Sequence, residues 1–417
     1  MIRWDVLVAA IVAMVVTLAI ALGWRNPWAP AAGALLGVTV VLAAGAISGH
    51  DIESALHDLW RPLLVILSIM VTSSCAAELG VFARLATWIE PRTRGPVRHA
   101  FRFTFILSAL TAALLSNDAA ILLVTPVVIE LLRTVYPKRN PKFVVPFAFA
   151  AFVAAGVAPL PTGNPMNLVV ASRAGIQFNA YAVHMIPVAL AGWITAYFAL
   201  SWCFRDALSD EEGAKGGKPP TPIHLGTPAR IVLATIAVAL LSYPVLAIFH
   251  IHPWVVATPA AIVALVAARS VGVAKISRGV SWELVPFVAG VLLLATALSR
   301  AGVTSELAHL YHRSPAPLPT VGTVAAIGSA LVNNHPMALL HSVALAGAPD
   351  RLVYAALVGG DLGPRLLPIG SLAGLLWLHA LRTRGIEISL ATFVRVGVIV
   401  TVPSLVVSLA VLWLVTL

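Results

Sequence analysis

Two short polar clusters interrupt otherwise apolar runs of this 417-residue chain: Ser116-Asn117-Asp118 and Asn333-Asn334-His335-Pro336. Asparagine amides and serine hydroxyls both donate and accept hydrogen bonds, whereas Asp118 and His335 can change charge. Two further clusters combine such groups with proline and glycine. One is Pro159-Leu160-Pro161-Thr162-Gly163-Asn164-Pro165-Met166-Asn167; the other runs from Gly359-Gly360-Asp361-Leu362-Gly363-Pro364-Arg365 through Pro368-Ile369-Gly370-Ser371. Proline and glycine at this density in a hydrophobic span predict a discontinuous helix, whose half-helix ends and unwound carbonyls can hold a solute. The candidate solute-binding residues are Ser116, Asn117, Asn164, Asn167, Asn333, Asn334, Gly370 and Ser371. Asp118, Asp361 and His335 are the candidate proton carriers, because an ionisable group at membrane depth points to a transport pathway. Simpler roles stand beside these: the amides can cap helix starts, and Asp361 and Arg365, four residues apart, can neutralise each other.

The elements that must position these residues follow from composition. The chain is 59% hydrophobic and 11% charged, against roughly 45–50% and 25% in soluble domains. It cannot cover itself with polar surface in water, so the lipid bilayer is its expected solvent. Apolar runs predict ten crossings, near 5–22, 29–48, 62–81, 143–172, 180–204, 228–249, 253–269, 282–300, 352–382 and 388–417. Trp24 and Trp28 flank the first as interfacial anchors, which favours a retained span over a cleaved leader. Two stretches differ, 100–133 and 318–347: each is a pair of short apolar pieces, 13 to 15 residues long, around one of the polar clusters. Pieces that short predict re-entrant hairpins.

Charge orients this arrangement. Placing the loops near 23–28, 90–102, 133–142, 205–230, 269–281 and 382–395 in the cytoplasm puts 19 of the 27 Lys and Arg residues inside, as the positive-inside rule requires, with both termini outside. Basic residues on both flanks of 100–133 predict a hairpin that enters and leaves on the cytoplasmic side. Residues 205–228, with Asp210-Glu211-Glu212 followed by Gly213, Gly216, Gly217, Pro219 and Pro220, form a cytoplasmic linker. It divides a first repeat, 1–204, from a second, 229–417, each of five spans and one hairpin. An odd number of spans makes the two inverted. Trp60-Arg61 and Gly80-Val81 are echoed by Trp282-Glu283 and Gly302-Val303, and Leu115-Ser116-Asn117-Asp118 by Val332-Asn333-Asn334-His335. The expected fold is therefore all-α and polytopic, with two inverted repeats and discontinuous helices at the midplane.

Several functions are excluded or disfavoured. No Walker A, H-E-x-x-H or G-x-S-x-G pattern occurs, so neither ATP hydrolysis nor those hydrolytic chemistries reside here. The net charge of +10 resides largely in short loops and orients the chain, so nucleic acid is not an expected partner. Cys75 and Cys203 are the only cysteines, too few for a disulfide framework or a multi-thiolate cage. No cofactor is expected.

At these same residues the chain resembles the ArsB-type arsenite and antimonite efflux permeases of the ion transporter superfamily. The resemblance rests on Leu115-Ser116-Asn117-Asp118-Ala119-Ala120 with Thr125-Pro126, on Asn333-Asn334-His335-Pro336, and most specifically on Asp361-Leu362-Gly363-Pro364 through Pro368-Ile369-Gly370-Ser371-Leu372-Ala373 to Leu376-Trp377-Leu378. It implies a secondary transporter, not an enzyme. Such a protein extrudes neutral trivalent arsenic and antimony hydroxides across a bacterial inner membrane in exchange for protons. Some relatives also work with a soluble arsenite-stimulated ATPase. Ala119 stands where relatives often carry glycine, and His335 adds a titratable group. With one cysteine inside the membrane, recognition of the hydroxide is expected through hydrogen bonds. The alternative within the same architecture is a sodium-coupled carboxylate transporter or Na+/H+ antiporter.

Overall fold

The computed structural model describes residues 4–23, 26, 28–81, 84, 96–114, 117–136, 140–209, 224–249, 251–382 and 384–417. Among these, the regular secondary structure is helical. The region before the expected linker contains α1 (Trp4–Gly23), α2 (Ala29–Ala43), α3 (Gly49–Glu78), α4 (Val97–Leu114), α5 (Asn117–Val135), α6 (Asn140–Ala154), α7 (Pro165–Arg173) and α8 (Phe178–Cys203). After the expected linker come α9 (Thr227–Ile248), α10 (Trp254–Ala267), α11 (Leu284–Arg300), α12 (Val303–Arg313), α13 (Pro317–Val332), α14 (Asn334–Ala344), α15 (Asp350–Leu362), α16 (Leu372–Arg382) and α17 (Leu390–Val415). Short turns at Arg205–Leu208 and Val273–Arg278 complete the series.

The two stretches expected as hairpins hold helix pairs, α4–α5 and α13–α14. The arms of the first are 18 and 19 residues long and those of the second 16 and 11, so three exceed the apolar pieces. They continue past them because basic and polar residues such as Arg98 and Arg102 are good helix formers once backbone bonding is established. Both expected breaks are present too. In the first, α6 and α7 flank a short 3-10 turn at Pro161–Gly163; in the second, α15 and α16 flank two such turns, Gly363–Arg365 and Pro368–Gly370. Among the described residues, three helices are long and apolar enough to cross a membrane by length and composition, Leu59–Glu78, Phe178–Cys203 and Leu390–Val415. A fourth candidate is α11 with α12, bent by 71°. The other expected crossings use shorter apolar helices, such as Ala29–Ala43, which ends where Gly45 turns left-handed at φ 66°.

The echoed glycines have matching geometry. Gly80 (φ 79°) and Gly302 (φ 96°) follow α3 and α11, each in the left-handed region that favours a residue without Cβ. Helices of the two regions interlock: α2 packs on α11, α3 on α10, and α8 along α17. The hairpins cross over as well, with α5 against α16 and α14 against α7. Where α6, α16 and α17 meet, Phe149, Phe152, Trp377 and Phe393 form an aromatic cluster, with Phe152 stacked on Trp377 at 4.5 Å. Lipid is as apolar as these rings, so close packing holds such contacts together. Gly359 and Gly363 show this at its tightest, because a Cβ at either would collide with backbone of α13.

Candidate functional site

The first break is built by proline and capped by asparagine. Helix α6 stops before Pro159 and Pro161, whose missing N–H groups cannot continue it. Asn164 then adopts extended backbone (φ −141°, ψ 127°), and its Oδ1 accepts from the Met166 N–H at 3.0 Å, starting α7 with Pro165 at the first helical position. The second break has the same ending. Ser371 is extended (φ −150°, ψ 154°), and its Oγ accepts from the Gly374 N–H at 3.0 Å. Pro161-Thr162-Gly163-Asn164 and Pro368-Ile369-Gly370-Ser371 are thus one structural motif used twice.

Capping directs the free half of the Asn164 amide. With Oδ1 engaged, Nδ2 points at Asp361 and donates to Oδ1 of its carboxylate. Asn167 Nδ2 donates to Asp361 Oδ2 at 2.8 Å, and the Ala158 N–H donates to the same oxygen at 2.9 Å. Tyr181 closes the network: its hydroxyl accepts from Asn167 Nδ2 at 2.9 Å and donates to the Ala158 carbonyl at 3.1 Å. Asp361 is 5% exposed. Each of these three contacts to its carboxylate comes from a donor, the pattern that suits the ionised form. The carboxylate of one break is therefore held by three donors of the other.

Arg365 does something different from what its spacing suggests. It makes no ion pair with Asp361; its Nη2 donates to the Val153 carbonyl, at the end of α6. The 3-10 turn at Gly363–Arg365 replaces the helical turn that would have stacked the two side chains on one face. The expected neutralising pair is thereby corrected.

The hairpin tips tie into the breaks through asparagine. Asn117 Nδ2 donates to the Gly156 carbonyl at 3.0 Å, and Asn333 Nδ2 donates to the Ile369 carbonyl at 3.1 Å. Asn333 also accepts from the His335 N–H at 3.2 Å while standing at φ 91°, which makes it the positive-φ non-glycine among the described residues. His335 is buried, with Nδ1 2.8 Å from Asn334 Oδ1 and its ring edge-on to Phe287. Gly370 is buried against Pro364, Ser329 and Ala330. Ser116 lies outside the described residues. Asp118 has a described helical position but its side chain does not belong to them.

The fold thus brings Asn164, Asn167 and Asp361 into one network and gives Asn117 and Asn333 parallel duties. Tyr181, Gly156 and Ala158 were not foreseen. The repeated P-x-G-[N/S] pattern was the available signal for aligning the breaks; Tyr181 carried none, since it opens an ordinary apolar helix. Two cavities approach the first break. One of about 30 Å³ lies between Thr72, Ser73, Leu114 and Thr162, and one of about 270 Å³ is lined by Arg61, Pro161, Leu168, Gln177, His252 and Trp254.

The chain has counterparts among known proteins. Residues 6–416 match the family described as ArsB, Arsenical pump membrane protein. The chain belongs to this family. It is 30% identical over 403 residues to the arsenical pump membrane protein of Escherichia coli, covering 91% of this chain and 92% of that protein. It is also 28% identical over 411 residues to the 46 kDa membrane protein of Mycobacterium leprae, with the same coverage. Among solved structures, the YdaH transporter of Alcanivorax borkumensis, described as having an unusual topology, aligns with a TM-score of 0.57 over 87% of each chain at 15% identity. That likeness carries the fold alone, an all-α architecture.

Proposed function

We propose that this protein is a secondary active transporter that extrudes arsenite and antimonite, as neutral trivalent hydroxides, from the cytoplasm in exchange for protons. Membership of the arsenical pump membrane protein family supports the substrate class. The observation that carries the mechanism is the clasp between the two breaks, Asp361 held by Asn164, Asn167 and Ala158. A neutral carboxylic acid accepts weaker hydrogen bonds than a carboxylate, so a proton taken up by Asp361 weakens all three of these contacts. Protonation of Asp361 therefore loosens one break from the other. The Asn117–Gly156 and Asn333–Ile369 bonds let each hairpin follow its break. Asp118 and His335, at or beside the tips, are the further proton carriers in this scheme, and Ser116, Asn334, Gly370 and Ser371 complete the lining that the solute meets.

The two regions act as inverted repeats that rock about these contacts. The 270 Å³ vestibule at Arg61 and His252 lies on the side that the basic-residue count assigns to the exterior. Exchange of a neutral solute for one proton moves charge, so the membrane potential contributes about 2.3 kcal/mol per 100 mV, roughly a 50-fold concentration ratio.

Arsenite accumulation in everted membrane vesicles tests this reading. Uptake is expected to collapse when the pH gradient and potential are both dissipated, and to ignore sodium. Uptake that survives dissipation excludes proton exchange, and a sodium requirement points to the sodium-coupled alternative.

A further inference from the structure

Arg365 is 3% exposed, yet two of its three guanidinium nitrogens, Nε and Nη1, have no hydrogen-bond partner. The third, Nη2, donates to a carbonyl, which leaves the charge uncompensated by direct contact. Guanidinium does not give up its proton in proteins, and a buried charge with unpaired donors is costly to a fold. Asp361, one turn earlier, is occupied by its three donors. A second orphaned donor is adjacent: the Trp193 indole N–H is buried without a partner, and Trp193 packs against Gly156, the same glycine that the guanidinium covers. Gly156 is what makes room, since a Cβ there would collide with Nη2. Its carbonyl is the acceptor for Asn117 at the first hairpin tip. The three free groups are all donors.

From this set we infer that Arg365 and Trp193 form a subsite for an electron-rich ligand atom, an oxygen of the transported trivalent hydroxide. This rests on the arsenical reading above and refines it: the solute's acceptor side meets Arg365 and Trp193, beside the Asn117 tip, while Asp361 holds the two breaks together. Arg365 is then a specificity-determining residue, and Gly156 the residue that admits it.

The test uses the purified full-length protein in detergent and the same protein in everted vesicles. Arsenite is titrated against thermal stability, with sodium chloride and sodium nitrate as simple-anion controls, for the natural protein, Trp193→Phe and Arg365→Lys. Trp193→Phe removes one neutral donor and should weaken arsenite binding about fivefold; Arg365→Lys removes fork donors to a ligand and should weaken it tenfold or more. In vesicles both should raise KM more than they lower the maximal rate, whereas a purely structural role would lower the rate and the unliganded melting temperature. Trp193→Phe keeps the ring's bulk, so it stays informative if Arg365→Lys fails to fold. Unchanged arsenite affinity in Trp193→Phe, with transport intact in the natural protein, overturns the subsite and leaves the arsenical reading standing. Stabilisation by nitrate or chloride that depends on Arg365 and Trp193, in a protein that neither binds nor moves arsenite, keeps the subsite and removes the arsenical reading.

Discussion

The two breaks end alike and differ in what they contribute. Each closes with Pro-x-Gly followed by a capping residue in extended conformation, Asn164 in one and Ser371 in the other. The first break supplies neutral donors, the Asn164 and Asn167 amides and the Ala158 N–H, and the second supplies the charges, Asp361 and Arg365. The difference teaches that duplicated backbone geometry is cheap to keep, because it needs only proline, glycine and one capping group. The chemistry is concentrated on one side, so that each charge meets its hydrogen-bonding partners across the interface instead of a copy of itself. Two facing carboxylates would repel, whereas a carboxylate facing amides is satisfied.

Replacing Asp361 with Asn strikes at this asymmetry most directly. One face of the new amide must present N–H groups to donors, so transport in vesicles should be lost, with a destabilisation of about 3–5 kcal/mol as for breaking other buried charged contacts. Retained coupled transport would remove Asp361 from the mechanism. Next in size is a matched pair, Asn164→Ala and Ser371→Ala. Each should lose a cap, about 1 kcal/mol, but Asn164→Ala also removes a hydrogen bond to a carboxylate, about a further 1.5–3 kcal/mol. Equal melting temperatures for the two variants would contradict the division of labour between the breaks.

The repeated glycine gives a third comparison. A Cβ at Gly370 would stand 2.6 Å from the Pro364 Cα, which cannot yield, whereas at Gly163 its nearest neighbour is the Ala158 Cβ at 3.2 Å. Gly370→Ala should cost about 1–3 kcal/mol and Gly163→Ala clearly less, as read from thermal denaturation in detergent. The smallest effect is expected at a contact between the regions that lies away from the breaks. Asp51, which accepts from the Ser48 N–H and hydroxyl, also bridges Arg300 at 2.6 Å. Partial burial works against its charge, but these hydrogen bonds and Arg300 outweigh it and hold its carboxyl below the usual carboxylate value. A depressed value means the contribution is present at neutral pH and is lost as pH falls through the folded-state value. Because the Arg300 side chain is half exposed, Asp51→Asn should cost less than about 1 kcal/mol, and it should leave transport unchanged. A large loss would mean that the regions are held together outside the breaks as well.

Much of this was legible in the chain. The expected span at 180–204 is α8 at Phe178–Cys203, and that at 388–417 is α17 at Leu390–Val415, because a long apolar run has few alternatives in lipid. The hairpin tips fell at Asn117 and Asn333–Asn334 for a related reason: polar residues there interrupt both apolar runs. The expected Asp361–Arg365 pair failed because it assumed continuous helical spacing through Gly363 and Pro364, where the chain tightens into a 3-10 turn. Tyr181 was invisible, since a single phenol at the start of an apolar helix has no periodicity to betray its hydrogen bonds.

Composition and the placement of proline, glycine and asparagine determined on their own that the chain is helical, lives in a membrane and is interrupted four times. Each of these follows from local rules: apolar length, a missing N–H, a side chain able to cap. Which interrupted segment faces which was decided only by the tertiary structure. Asp361 and Asn164 lie 197 residues apart, and the Arg365 guanidinium reaches a carbonyl 212 residues away. No local preference encodes such pairings; they arise when helices from both regions pack closely enough that a buried charge must find its donors, or its ligand, on the opposite side.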